Sequence, residues 1–207
     1  HQWFGDTVTM KWFDDLWLKE GFANFMAYKA MEKIMPEMNA WKVFYERIKQ
    51  AAYATDSTRG TTPIYQPIKN LSAAKSAYGN IVYRKAPSFL RQAEFYLGED
   101  KFQTAVRAFL KKHEYANSGW EDLVGEFQDA SFVPGLNSVE FERQKNLFSW
   151  ARQWVTTPGL PIVRAIDIRA GTGGCFNYSM QQKTPSGEVG NWPMKLRPYL
   201  LFTNGAT

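Results

Sequence analysis

Cysteine occurs once in this 207-residue chain, at Cys175, so no disulfide can form within it. Histidine is nearly as scarce, with only His1 and His113. No apolar run is long enough to span a membrane, and no segment reads as a signal peptide. No run of five like charges interrupts the sequence. The net charge of +5 comes from Lys and Arg interleaved with Asp and Glu, the pattern of solvated helix surfaces rather than of a nucleic-acid-binding patch. The chain opens on His rather than Met, which reads as a segment of a longer protein. What is plentiful is apolar and aromatic material, 44% and 16% of residues, enough for a sizeable core.

The most informative stretch is HQWFGDTVTMKWFDDLWLKEGFA, from His1 to Ala23. Glu20 sits among Trp17, Leu18, Phe22, Phe25 and Met26 on a helix that is apolar on most faces and therefore expected to be buried. A buried carboxylate needs a partner or a metal. The ordered string HQWFGD, TMKW, DDLWLKEGFA resembles the aminopeptidase N family of zinc metallopeptidases, the gluzincins, over the second half of their zinc site. In that family H-E-x-x-H supplies two His ligands on one helix face with a general-base Glu between them, and a second helix supplies a Glu ligand. The resemblance implies that His1 is the second histidine and Glu20 the third protein ligand of a Zn2+ ion. The first His and the base would lie upstream. With two histidines in all, the motif cannot be rebuilt inside the chain.

A second stretch, YGNIVYRKAPSFLRQAEFYLGEDKF from Tyr78 to Phe102, resembles the family's Y-x-K-G-A segment. Tyr83 falls on the tyrosine and Lys85 on the lysine, while Ala86-Pro87 departs from Gly-Ala. Pro suits the first turn of a helix and holds the residue before it extended. Ala86 is thus expected to be extended, with Tyr83 at a bend just before a helix. The resemblance gives Tyr83 a catalytic role: its hydroxyl donates to the oxyanion of the tetrahedral intermediate.

The rest reads as helices. A first helical piece ends at Gly5-Asp6, and residues 7–11 connect it to a helix capped by Asp14 or Asp15 and stopped at Pro36. A second helix runs over about 39–54 with Trp41, Phe44 and Ile48 on one stripe. Residues 55–70 carry turn signals, and a loop so long often lines a cleft. Helices follow at about 88–97, closed by Gly98, and 100–113, with Phe102, Val106, Phe109 and Leu110 facing inward. Ser118 and Glu121 form a capping-box pattern before Leu123, Val124 and Phe127. Leu147, Trp150, Ala151 and Trp154 mark the last helix. His113 reads as a helix-end cation and not a ligand. From Thr157-Pro158-Gly159 the period changes to two. Ile166 and Ile168, then Phe176, Tyr178 and Met180, then Met194 and Leu196 each alternate with polar residues, giving three expected strands split at residues 171–174 and 184–191.

The expected fold is mainly α: the helical part of a thermolysin-like catalytic domain over 1–157, then the first strands of a β-sandwich from 158. The resemblance implies a zinc-dependent aminopeptidase whose partners are a peptide substrate and the N-terminal remainder of the same protein. The segment alone is expected to be inactive. The alternative is a non-catalytic scaffold of the same fold, against which the joint presence of His1, Glu20 and Tyr83 argues. Compartment is not legible.

Overall fold

A computed structural model describes residues 1–132, 147–170, 176–188 and 190–199. Strand β1 is Val8–Met10, and the first long helix, α1, is Leu16–Ile34. A helical rod follows, made of α2 (Ala40–Val43), a π turn (Phe44–Ile48) and α3 (Lys49–Asp56). After a loop come α4 (Leu71–Ala77), a second π turn (Ile81–Lys85) and α5 (Ala86–Leu97). Then come α6 (Glu99–Lys112), β2 (Ala116–Ser118), α7 (Trp120–Ser131) and α8 (Leu147–Thr156). An antiparallel pair, β3 (Ile162–Ala170) and β4 (Phe176–Lys183), completes the described elements. The chain is mainly α, as its periodicity implies.

The core forms around α1. Leu16, Trp17, Leu18, Glu20, Gly21, Phe22 and Phe25 are all buried, so apolar side chains surround its first half instead of forming a stripe. Such a helix is stable only when enclosed. Phe4 stacks on Phe22 with centroids 4.0 Å apart, Trp17 meets Phe89 of α5 edge-on at 5.6 Å, and Phe25 meets Phe102 of α6 at 5.4 Å. Each fully buried aromatic of this kind contributes a few kcal/mol, of order 3–5 if truncated to Ala.

Several local expectations give way to tertiary partners. Residues 1–8 form wide turns rather than an α-helical end: the carbonyls of His1, Gln2 and Trp3 accept from the amides of Asp6, Thr7 and Val8. The connector after them is a strand, β1, paired in parallel with β2. Asp14 and Asp15 do not cap α1. Asp14 instead accepts from the amide of Ile68, and the carbonyl of Asp14 accepts from Gln66 N, which fastens the long loop. Asp15 accepts from the Trp17 indole (3.1 Å) and from the first amide of α7, Trp120 N (3.3 Å). It caps a helix 105 residues away, whose own N-cap is the side-chain-free Gly119. The carboxylate that returns to Gly119 N is Asp122, 2.9 Å, rather than Glu121, and it also accepts from the Ser118 hydroxyl. The loop expectation is shortened too: α3 runs through Asp56 and Asn70 caps α4, its Oδ1 accepting from Ala73 N.

Beyond α8, two of the three expected strands form. β3 and β4 pair with a register shift between Ile166 and Arg169, where Asp167 takes φ 53°. The Met194–Leu196 stretch is not a strand. Trp154 Nε1 donates to Pro193 O, and Lys195 donates to Phe95 O while its carbonyl accepts from Gln92, so bonds to the helical body take the place of a sheet ladder. The expected break at residues 171–174 lies outside the described residues. Among the described residues, no helix is long and apolar enough to cross a membrane.

Asp15 gives the fold a measurable pH dependence. Burial pushes its carboxyl from the ordinary 3.8 up to about 7, against the pull of the Trp120 and Trp17 N–H donors. Between those two values the folded chain holds a proton that the unfolded chain has released. Stability therefore falls as pH rises through that window and is level above it. Asp15→Asn, which keeps an acceptor and the volume, should flatten this slope in urea titrations at about pH 5 and about pH 7. An unchanged slope would mean that Asp15 is ionised throughout.

Candidate metal centre

Two segments distant in sequence supply the candidate site. His1 is held by the wide turns and by β1, and Glu20 lies on the second turn of α1. The imidazole Nε2 is 3.2 Å from Glu20 Oε2. Nδ1 lies 3.4 Å from the Phe4 carbonyl oxygen. Glu20 is 6% exposed, and its other oxygen is 3.8 Å from Lys19 Nζ.

Tyr83 reaches the same carboxylate from the second π turn. Its phenol is pushed up to about 12, first by desolvation, then by the charge of Glu20 and a hydrogen bond to it. The hydroxyl is a donor at neutral pH. Tyr78 lies beside it, ring centroids 6.3 Å apart.

The backbone that carries Tyr83 differs from the expectation. Ala86 is helical (φ −58°, ψ −42°), not extended, and the π turn of residues 81–85 runs directly into α5. The reason is a substitute donor. Pro87 lacks the N–H that would bond the carbonyl four residues back, that of Tyr83. Asn24 Nδ2 donates to Tyr83 O instead, 2.9 Å, and the Ala86 amide donates to Ile81 O across the wider ring. Helix α1 comes close enough to do this because residue 21 is glycine. A Cβ there would lie 2.8 Å from Ala86 Cβ and 3.3 Å from Val82 O. Gly21 was legible in EGFA only as part of a string. Asn24 carried no signal at all, since its partner is a backbone atom 59 residues away.

Lys85 points away from this centre. Its Nζ meets Asp56 Oδ2 at 2.7 Å and donates to Gly159 O at 2.8 Å. Asp56 read only as a turn signal in the sequence.

An imidazole nitrogen and a buried carboxylate oxygen brought within 3.2 Å of each other are the donor types that zinc takes. Among the described residues no group of three His, Cys, Asp or Glu side chains gathers anywhere. This chain thus supplies a pair of donors, which fits part of a catalytic zinc site and leaves a further ligand to come from elsewhere. The His113 ring packs against Phe109 at 5.2 Å.

Known proteins share this sequence over most of its length. Residues 1–154 match the peptidase family M1 domain. The chain is 36% identical over 205 residues to a leucyl aminopeptidase of Saccharolobus solfataricus, covering 99% of this chain and 24% of that protein. It is 31% identical over 205 residues to an aminopeptidase N of Streptomyces lividans, covering 97% and 22%. Over 163 residues it is 36% identical to aminopeptidase M1-D of Oryza sativa, covering 79% and 17%. The chain belongs to peptidase family M1. It spans about a quarter or less of the length of these relatives.

Proposed function

We propose that this chain is the C-terminal helical part of the catalytic domain, with the first strands of the next domain, of a zinc-dependent aminopeptidase acting on peptide N-termini. The observation that carries the reading is that the His1 imidazole and the Tyr83 phenol both neighbour one buried carboxylate, that of Glu20. Zinc fits the two donors, and His1 and Glu20 would hold it. Bound there it supplies Lewis acidity to a substrate carbonyl and lowers the pKa of water.

The chain's own residues prepare the site for that chemistry. The wide turns hold the His1 backbone, and the Phe4 carbonyl lies 3.4 Å from its Nδ1. Burial keeps bulk water from the Glu20 carboxylate, so its charge is little screened. Tyr83 remains protonated and can turn its hydroxyl from Glu20 to an oxyanion that develops on the substrate, without prior reorganisation of the backbone. The remaining ligand and the general base belong to the rest of the protein, which makes that portion an obligate partner. The 207-residue chain by itself should not turn over peptide.

Glu20→Gln in the full-length protein tests the reading. The amide keeps size and one oxygen but loses the charge that a metal requires. Zinc content after dialysis and release of the N-terminal residue from peptides should both fall by at least about 10-fold. Wild-type zinc retention and wild-type peptide hydrolysis in that variant would contradict the assignment.

A further inference from the structure

The ion pair between Asp56 and Lys85 is a buried polar cluster away from the candidate metal centre. Asp56 is 4% and Lys85 8% exposed. Lys85 Nζ donates to Asp56 Oδ2 (2.7 Å) and to Gly159 O (2.8 Å). Asp56 Oδ1 accepts from Gly159 N (3.0 Å) and from the Thr61 hydroxyl (2.8 Å). Both partners thus grip the two sides of one residue, Gly159, which takes φ +89°, a conformation that suits glycine. Burial pushes the Lys85 amine below its ordinary value, and the Asp56 charge opposes that shift.

Lys85 stands two residues after Tyr83 on the same five-residue π turn. Side chains two residues apart on a helical turn point to roughly opposite sides of its axis. Tyr83 faces Glu20 on α1, and Lys85 faces α3 and the loop that leads into β3. Any rotation of the turn that withdraws Lys85 from Asp56 therefore swings Tyr83 away from Glu20. Asn24 restrains the carbonyl of this turn, and the ion pair restrains its rotation.

We propose that the Asp56–Lys85 pair is a positioning device: it locks the azimuth of the π turn that presents Tyr83, and it ties that turn to the junction loop at Gly159. The proposal rests on the reading of Tyr83 as an oxyanion donor for its meaning in catalysis, although the geometric claim can be tested without turnover. Stability alone is a weak reason to bury such a pair, since apolar residues of similar volume commonly serve as well. The three bonds to Gly159 and to the Thr61 hydroxyl give it a direction that apolar packing lacks.

The test uses the full-length protein labelled with 3-fluorotyrosine, with the Tyr83 fluorine signal assigned by its loss in Tyr83→Phe. Two variants are compared with wild type, Lys85→Met and the apolar pair Asp56→Leu with Lys85→Met. The second keeps the test readable if the first, with its orphaned carboxylate, does not fold. In each folded variant the Tyr83 signal should shift toward that of free fluorotyrosine or split, while the Tyr65 signal stays in place. An unmoved Tyr83 signal in the folded double variant would overturn the proposal and leave the pair a staple. In the full-length protein the same variants should lower kcat by about 10-fold or more with little change in KM, as expected for a misplaced catalytic group. A displaced Tyr83 signal with full kcat would instead count against the catalytic role of Tyr83 while leaving the positioning claim standing.

Discussion

Tyr83→Phe in the full-length protein should lower kcat about 10²–10³-fold while leaving KM nearly unchanged. The substitution removes one oxygen and keeps the ring, so the neighbouring Tyr78 and the π turn retain their packing. In the resting site desolvation, and after it the neighbouring Glu20 carboxylate, keeps the hydroxyl protonated. Its value would be realised only when negative charge grows on the substrate oxygen, so the loss should fall on the chemical step and amount to about 3–4 kcal/mol. The check is steady-state kinetics with a peptide and with a smaller aminoacyl amide. A rise in KM with kcat intact would place Tyr83 in substrate binding instead. Unaltered kinetics would remove it from the site.

The second large effect should come from Gly21→Ala. The added methyl would sit 2.8 Å from Ala86 Cβ, closer than two carbons can stand. Both atoms are fixed by backbone, so neither can swing aside. Overpacking of this kind costs about 1–3 kcal/mol. It also pushes apart α1 and the turn bearing Tyr83, lengthening the Asn24 bond to Tyr83 O and the approach of the phenol to Glu20. Ala86→Gly on top of it removes the colliding carbon. The remaining contact, 3.3 Å to Val82 O, needs only a few tenths of an ångström of give. The double variant should recover most of the loss, and a double-mutant cycle in urea unfolding should show coupling above about 0.5 kcal/mol. Additive effects would mean that the two helices already have slack between them.

These cases show how far a linear reading reaches. The apolar girdle of α1, the Gly98 break and the inward stripe of α6 all follow from spacing, because each depends on neighbours within a turn or two. Asp14 and Asp15 show the limit. Their chemistry was readable, acceptors beside helix N–H groups, but the groups they serve are Ile68 N and Trp120 N, far along the chain. The Ala86-Pro87 pair shows the same limit in the backbone. The preference of a pre-proline residue for extended geometry is worth little against a π turn whose spare carbonyl finds Asn24. The third expected strand fails because alternation at 194–197 says which residues could share a face, not that a partner strand is there to accept the bonds.

For the candidate site, the chain records residue types and order, and these fix the family. It does not record the device that aims Tyr83. Gly21, Asn24, Asp56 and Gly159 act through contacts with backbone atoms or with side chains on other elements, and the turn signals at Asp56 and Gly159 say nothing of those contacts.

The most direct measurement is a zinc-edge anomalous difference map of the full-length protein in crystals. The account predicts one dominant peak beside His1 Nε2 and a Glu20 carboxylate oxygen, with the Tyr83 hydroxyl facing it. A peak elsewhere, or zinc-replete crystals with no peak between those two side chains, would contradict it.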